Sequence, residues 1–295
     1  MGIKDLSDST NSEVLRPVWA VASGKGGTGK TTVSLNLARV LEEDVQLIDC
    51  DVEEPDAHLF LPGIGGALRE VMTQVPQIDE TKCDFCGRCA QFCQFHALAV
   101  AGRVTMIFPE LCHGCRGCSM VCPRQAIRMV DHRVGQLEIR EVGPHLTLLT
   151  GTLDVGSPQA SPVIAAVKAL RDPRILTILD APPGTSCSVE ATLRGVDRVV
   201  LVTEPTPFGL HDLELAVELV RLMGLPMGVV INRARPNQDL VRRKCEAEGI
   251  PVWLELPEDR RYAVAGARGE LLVEVFPEVR EAFVRLAARL QEVEG

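Results

Sequence analysis

Aromatic residues, long apolar runs and clustered positive charges are all scarce in this sequence of 295 residues. With one Tyr and two Trp, the core is expected to be mostly aliphatic. No apolar run approaches the ~20 residues that span a bilayer, and the N-terminal stretch MGIKDLSDST has no apolar signal core. We therefore expect a cytoplasmic protein that does not bind a membrane. The formal net charge of −9 and the lack of Lys or Arg runs disfavour a nucleic-acid partner bound through its phosphates.

Cysteine, by contrast, is abundant, with eleven residues in the chain. Cytoplasmic thiols stay reduced, so this number indicates metal or redox chemistry rather than disulfides. Most of the cysteines fall in two runs of the form C-x₂-C-x₂-C-x₃-C. The first run is Cys83, Cys86, Cys89 and Cys93, and the second is Cys112, Cys115, Cys118 and Cys122.

This double run is the pattern of bacterial ferredoxins that hold two clusters. In that pattern three cysteines of one run bind one cluster, and the fourth binds the other. The first predicted [4Fe–4S] cluster is bound by Cys83, Cys86, Cys89 and Cys122, and the second by Cys112, Cys115, Cys118 and Cys93. Structural zinc is the main alternative, but zinc sites rarely show two complete runs of this kind. Gln94 replaces the proline that usually follows the first run, which leaves the number of ligands unchanged.

Short apolar runs alternate with helical patterns on both sides of the cysteine runs. The apolar runs are VWAVAS after Pro17, VQLID, ILTILD, VVLVT and GVVIN. Apolar strands that alternate with helices indicate a parallel sheet covered on both faces. We therefore predict an α/β fold with a mostly parallel sheet and a small inserted α+β ferredoxin domain. The predicted boundaries are 1–76 and 136–295 for the two parts of the α/β domain and 77–135 for the insertion.

Residues Gly24–Thr31 fit G-x-x-x-x-G-K-[ST] between a predicted strand and a predicted helix, the context that this phosphate-binding loop requires. Its backbone N–H groups and the helix N-terminus surround phosphate oxygens. Lys30 is predicted to reach the β- and γ-phosphates of ATP, and Thr31 to bind Mg²⁺. The other predicted nucleotide contacts in this loop are Gly24, Gly26, Gly27, Thr28, Gly29 and Thr32.

The stretch KGGTGKTT has a lysine directly after its first glycine. It resembles the deviant loop of the MinD/ParA/Mrp ATPases and the nitrogenase iron protein, which belong to the SIMIBI class. In that superfamily the early lysine crosses a dimer interface and contacts the phosphates of the other subunit's nucleotide. The resemblance therefore implies an Mg²⁺-dependent ATPase that forms an ATP-dependent homodimer. Lys25 would act in trans, much as an arginine finger does.

Two further motifs extend the resemblance to the switch regions. LIDCD resembles switch I, where Asp51 would orient the attacking water and Asp49 would support the Mg²⁺ site. LDAPPG resembles the Walker B and switch II segment, where Asp180 would hold Mg²⁺ through water and the Gly184 N–H would sense the γ-phosphate. The alternative for each aspartate is that it caps a helix at the end of its strand.

Two C-terminal motifs resemble the adenine side of the same site. VINR would place Asn232 on the base, and LPED, which contains Pro257, would close over adenine. The resemblance covers most of residues 17–75 and 136–270.

Three cysteines lie outside the two runs. We expect Cys50 to be buried beside switch I and Cys245 to be inert on a surface helix. Cys187 lies seven residues after Asp180, where the nitrogenase iron protein has a ligand of its intersubunit cluster. Because the sequence offers no second ligand from each subunit, we interpret Cys187 as a small buried thiol.

The architecture resembles MinD-superfamily ATPases that carry an inserted ferredoxin domain. Three functions are compatible with it. The first is an ATP-gated electron carrier that serves an unidentified redox or metallocluster-bearing protein. The second is an ATP-dependent factor that assembles a metallocluster on a partner, like the Mrp carriers. The third is a MinD/ParA-type positioning ATPase, which needs a membrane helix or a DNA-binding surface. The apolar stripe of the C-terminal tail has mixed charges and is predicted to pack in the core: Val279, Phe283, Leu286 and Leu290.

Overall fold

A computed structural model describes residues 15–66 and 68–292, and the stretch MGIKDLSDST lies outside these ranges. The described strands are β1 Val18–Ala22, β2 Val45–Asp49, β3 Ile64–Gly65, β4 Arg69–Ile78, β5 Leu98–Ala101, β6 Val104–Ile107, β7 Ile127–Glu141, β8 Leu146–Leu153, β9 Leu176–Asp180, β10 Arg198–Thr203, β11 Met227–Ala234 and β12 Val252–Pro257. The described α-helices are α1 Lys30–Val40, α2 Ala57–Phe60, α3 Arg88–Phe92, α4 Gly117–Met120, α5 Ala160–Lys168, α6 Cys187–Leu193, α7 Pro207–Leu222, α8 Leu240–Ala247, α9 Arg260–Ala267, α10 Leu272–Val275 and α11 Pro277–Glu292.

The main sheet has the strand order β12-β11-β10-β1-β9-β2-β8-β7-β3, and β4 also pairs with β7. Neighbouring strands are parallel from β12 to β8, whereas β7 is antiparallel to β8, β3 and β4. Strands β1, β2, β9 and β10 are buried along their whole length, as expected of strands covered on both faces. The predicted α/β fold with a mostly parallel sheet is confirmed.

Two apolar cores cover the two faces of this sheet. One contains side chains of α5, α6, α7 and α8, and the other contains side chains of α1, α9, α10 and α11. Among the twelve largest fully buried side chains of the described residues, Trp19 and Phe283 are the aromatic ones. The core is therefore mostly aliphatic, as the sequence predicts.

Helix α11 forms part of the second core. The four residues of its predicted apolar stripe, Val279, Phe283, Leu286 and Leu290, are each at most 2% exposed. The predicted packing of the tail in the core is confirmed, so these side chains are not available to a membrane surface. Within residues 15–66 and 68–292, no helix combines the length and apolar character needed to cross a bilayer.

The cysteine runs lie at the end of an antiparallel ribbon that extends the main sheet. Strand β4 pairs with β7 along its whole length, from Arg69 to Ile78. Residues 79–126 between these strands contain α3, α4 and a separate hairpin of β5 and β6. A third small core here contains Val75, Ala97, Leu98, Cys112 and Cys118. Strands β4 and β7 both continue through the predicted boundaries of the insertion, 77–135. The division into domains stays a prediction.

Replacing Phe283 with Ala should lower the free energy of unfolding by about 3–5 kcal/mol, because loss of a fully buried phenyl group leaves a cavity. Val284 is the next residue of α11 and is 46% exposed, so Val284→Ala should cost less than about 1 kcal/mol. Equilibrium unfolding in urea measures both variants. Equal losses of stability would contradict the packing of α11.

Candidate nucleotide site and cysteine cavities

The phosphate-loop motif connects β1 to α1 at the carboxyl edge of the sheet. Gly29 has a left-handed backbone with φ of 95° immediately before α1, a conformation that strains other residues. A Cβ at Gly29 would collide with the side-chain amide of Asn232, and a Cβ at Gly24 would collide with the backbone of Asp212 in α7. Glycine is therefore required at both positions by the packing of the loop against its neighbours.

Two polar side chains of this loop are buried. Lys30 is 7% exposed and Thr28 is 1% exposed. The Thr28 hydroxyl has no hydrogen-bond partner in the part of the chain that the structure describes, although buried hydroxyls normally have one. A buried ammonium and an unpartnered hydroxyl in one loop fit the binding of an anionic oxygen. The other predicted loop residues are placed around them, with Gly26 and Gly27 exposed and Thr31 and Thr32 in the first turn of α1.

Two buried carboxylates lie side by side where β2 and β9 end, since Asp49 and Asp180 are paired in register. Asp180 Oδ1 accepts a hydrogen bond from Ser34 Oγ at 2.9 Å, whereas Oδ2 is buried and has no partner among the described residues. Burial raises the pKa of Asp180 to about 6. Burial and the charge of Asp180 raise the pKa of Asp49 well above its ordinary value. Because two buried negative charges repel, the pair fits a bound divalent cation such as Mg²⁺.

The contacts of Asp49 include the one expected of a helix cap. Its carboxylate accepts hydrogen bonds from the backbone N–H groups of Asp51 and Ala57, at 3.1 and 3.2 Å, and Ala57 begins α2. Asp51 is half-buried, and burial raises its pKa to about 6 although the charge of Lys30 lowers it. The roles of Asp49 at Mg²⁺ and of Asp51 at the attacking water stay predictions.

Lys25 contacts a residue of its own chain that the sequence reasoning missed. Its Nζ lies 3.7 Å from Glu204 Oε2, and Glu204 also forms an ion pair with Arg233. Glu204 directly follows β10. An acidic residue directly after an apolar strand is the sequence signal that could have identified it. An action of Lys25 on a second subunit would require the pair with Glu204 to break.

The remaining predicted contacts lie close to the loop but have partners from the protein itself. The Gly184 N–H donates to the Ser23 carbonyl at 3.0 Å, and Asn232 Nδ2 donates to the Thr28 carbonyl at 2.8 Å. Pro257 is the last residue of β12. The contacts of Gly184 with the γ-phosphate and of Asn232 and Pro257 with adenine stay predictions.

The cysteines of the two runs line two cavities. One is lined by Cys83, Cys86, Cys89 and Cys122, and the other by Cys93, Cys112, Cys115 and Cys118. The fourth cysteine of each run therefore reaches the cavity of the other run, which matches the predicted ligand sets. Whether these cavities bind clusters stays a prediction.

Among the described residues, no group of three or more His, Cys, Asp or Glu side chains is placed to hold a metal ion. Burial raises the pKa of Cys118 to about 11 and also raises the pKa values of Cys89 and Cys112. Because the thiolate is the metal ligand, these thiols need a cationic centre nearby in order to ionise.

The cysteines outside the runs differ partly from expectation. Cys187 is exposed at the first residue of α6, so its interpretation as a buried thiol is wrong. It follows the Gly184 turn and lines a cleft together with Phe95 and His113, which lie within two residues of cysteines of the two runs. Cys50 is buried, as expected, and Cys245 is buried on the inner side of α8, a helix whose other residues apart from Val241 are exposed or partly exposed.

The profile of the CobQ/CobB/MinD/ParA nucleotide binding domain family matches residues 19–273. This range contains the phosphate loop, both carboxylates and the switch segments, and it covers most of the chain. The chain therefore belongs to this family. It is a P-loop ATPase of the MinD/ParA type.

Similar proteins carry several different names. An uncharacterized protein of Methanocaldococcus jannaschii is 32% identical over 260 residues, which cover 85% of this chain and 89% of the relative. An iron-sulfur cluster carrier protein of Aquifex aeolicus is 25% identical over 303 residues, which cover 95% of this chain and 68% of the relative. The septum site-determining protein MinD of Pyrococcus horikoshii, solved in complex with Mg-ADP, has a TM-score of 0.57 at 19% identity, covering 95% and 98% of the two chains. This last similarity supports the fold alone.

In the nucleotide-free protein, Asp180→Asn should become more stable relative to the wild type as the pH rises from about 4 to about 7. The pKa of Asp180 is about 6 in the folded protein against an ordinary value of 3.8. The folded protein therefore holds this proton more tightly than the unfolded chain, and it loses stability as the pH rises through that window. The full difference is of the order of 3 kcal/mol, and the amide oxygen of the variant would still accept the hydrogen bond of Ser34.

Urea unfolding at several pH values measures this difference. Asp131→Asn, at an exposed position of β7, is the control and should show a much smaller dependence on pH. The burial of an unneutralised carboxylate would be contradicted if the difference in free energy of unfolding between Asp180→Asn and the wild type does not change from about pH 4 to about pH 7.

Proposed function

We propose that the protein is an iron–sulfur ATPase that couples ATP binding, hydrolysis and dimerisation to electron transfer through two [4Fe–4S] clusters to a partner protein. One observation carries the proposal: each of the two cavities is lined by one of the two predicted sets of four cysteines. The ribbon that bears these cavities belongs to the same sheet as Asp49 and Asp180. Nucleotide chemistry and cluster chemistry therefore share one framework.

The nucleotide half of the proposal uses residues that the fold gathers at one edge. The N–H groups of the loop and Lys30 would hold the phosphates. Thr31 and Asp180 would hold Mg²⁺, with Asp49 beside them, and the ion would neutralise the buried carboxylates as well as phosphate charge. Asp51 would orient the attacking water, which is mainly a positioning role.

Dimerisation would complete the site by adding a second positive charge. Lys25 would leave Glu204 of its own chain and contact the nucleotide of the other subunit, where negative charge develops during phosphoryl transfer. Its 3.7 Å separation from Glu204 and its partial exposure favour a pair that can open. Glu204 also pairs with Arg233, so release of Lys25 would not leave the Glu204 carboxylate without a cationic partner.

The cluster half of the proposal rests on complete thiolate sets. Clusters of this type supply one-electron transfer when bound. The four cysteines around each cavity would hold them firmly, which favours exchange of electrons over donation of the cluster. The partner would be a redox protein or a protein that carries a metallocluster.

Assembly of a metallocluster on a partner is the second candidate. It is favoured by the similarity to a protein named iron-sulfur cluster carrier protein and by the exposed thiol of Cys187. A positioning ATPase has less support, because the apolar side of α11 is buried within the protein. The two leading candidates differ in what leaves the protein. An electron carrier would pass electrons to its partner, whereas an assembly factor would pass iron.

Protein isolated without oxygen should contain about eight irons per chain and little zinc. Cys86→Ser and Cys115→Ser each remove one ligand from a different cavity, so each variant should lose about four irons. Cys187→Ser is the matched control and should keep the wild-type content, because Cys187 lines neither cavity. Iron and zinc analysis together with electron paramagnetic resonance measures these contents.

Substantial zinc with little iron would contradict the proposal. Iron that moves to an apoprotein acceptor during ATP hydrolysis would instead favour assembly over electron transfer.

Lys30→Ala should abolish nucleotide binding, since Lys30 acts within its own loop. Lys25→Ala should retain binding but lose ATP-dependent dimerisation and hydrolysis, because its proposed target lies in the other subunit. Nucleotide-binding titration, sedimentation with ATP and phosphate release separate these effects. A Lys25→Ala protein that dimerises and hydrolyses ATP like the wild type would rule out the trans role.

A further inference from the structure

Helix α5 is connected to the cysteine runs, to switch I and to the helix that follows switch II. The switch I segment is defined here as Asp51–Asp56 and the switch II segment as Asp180–Cys187. The helix begins beside the second cysteine cavity, shares a packed core with the residue after Asp51, and ends at α6. None of these contacts follows from the sequence motifs.

The first contact is made by Gln159, the residue before α5. Its side chain makes no hydrogen bond to its own helix, and Nε2 instead donates to the backbone carbonyl of Cys112 at 2.7 Å. A carbonyl oxygen only accepts, so the amide nitrogen must face Cys112. Side chains at this helix position usually bond the first free N–H groups of the helix. Gln159 is used instead to hold the main chain of a predicted cluster ligand.

In the second connection, the middle of α5 and Val52 of switch I pack around Gly151 in the same core. A Cβ at Gly151 would lie 2.9 Å from Val52 Cγ1, 3.1 Å from Val163 Cγ1 and 3.5 Å from Val167 Cβ. The Leu153 N–H also donates to the Val52 carbonyl at 2.7 Å. Packed interiors leave little free space, so a displacement of Val52 must shift α5 or its neighbours.

The third contact joins the end of α5 to the helix after switch II. Lys168 Nζ donates to the carbonyls of Ala191, Thr192 and Arg194 at 2.9, 2.6 and 2.8 Å. A cation at the C-terminal end of a helix is favourable, and three bonds from one ammonium connect α5 firmly to α6. Because α6 begins at Cys187, the last residue of switch II, a displacement of switch II that moves α6 also reaches α5.

We propose that Gln159 is a positioning residue that transmits the nucleotide-dependent state of the two switches, through α5, to the loop of Cys112. This inference rests on the proposed nucleotide and cluster binding. A helix of nine residues that is held at both ends moves as one body, and its movement changes the bond to Cys112. Cluster properties depend on hydrogen bonds and solvent access near the ligands, so the second cavity should respond to ATP more than the first.

Gln159→Glu tests the proposal because it keeps the size of the side chain and removes the N–H donor. Hydrogen exchange of residues 109–118 is measured on full-length, anaerobically isolated protein, without nucleotide and with Mg²⁺ and a non-hydrolysable ATP analogue. The wild type should show a nucleotide-dependent change in exchange there, and Gln159→Glu should lose it. The signal of the second cluster in electron paramagnetic resonance should likewise lose its response to nucleotide.

Gln77→Glu is the matched control. It introduces the same charge into β4, and Gln77 Oε1 accepts from Arg128 Nε at 2.7 Å, a bond that a carboxylate keeps. Its nucleotide response should therefore persist. Lys168→Met should reduce the response from the other end of α5.

A nucleotide-dependent change at residues 109–118 that persists in Gln159→Glu, or that is absent from the wild type, would overturn the proposal. Iron analysis reports separately on the proposed function. If the protein holds no iron, electron transfer fails as a function, whereas the exchange measurement still decides whether α5 connects the switches to Cys112.

Discussion

The carboxylates of Asp49 and Asp180 lie on neighbouring strands and are at most 1% exposed. Water cannot screen their repulsion there, and burial of each charge is itself unfavourable. Ser34 and two backbone N–H groups satisfy part of the pair, but one buried oxygen of Asp180 stays without a partner among the described residues. The edge of the sheet therefore fits a bound cation, and binding of a cation or nucleotide there should be linked to stability.

The sheet order connects this acidic edge to the ribbon that bears the cysteine runs. Strand β2 carries Asp49 and pairs with β8, and β8 pairs with β7 of the ribbon that bears both cavities. Helix α5 follows β8 and packs on the same side as α6. The carboxylates and the cavities are therefore connected through neighbouring packed elements, which is the condition for a small local movement to be transmitted.

The charged residues around the loop suggest how the isolated chain differs from an assembled form. Glu204 lies between Lys25 and Arg233 and forms an ion pair with each. A nucleotide phosphate in the second subunit would compete with Glu204 for Lys25, because both offer anionic oxygens. Glu204 would thus pair with both Lys25 and Arg233 in the free chain, and with Arg233 alone in the dimer.

Sequence alone determined the features that depend on short spacing. The phosphate loop, the two cysteine runs and the parallel strands with Asp49 and Asp180 at their ends all follow from residues that are close in the chain or from the common direction of the strands. The aliphatic core and the burial of Phe283 follow from hydrophobic periodicity.

Tertiary structure alone decided which distant residues meet. The pairing of Lys25 with Glu204, the bond from Gln159 to Cys112 and the exposure of Cys187 have no local signature. Each depends on how separate strands and helices pack, and packing sets which side chains lie within a few ångströms of each other or remain uncovered. Helix α5 owes its place between the switches and the second cavity to that packing, because its own sequence carries only an apolar face and two polar ends.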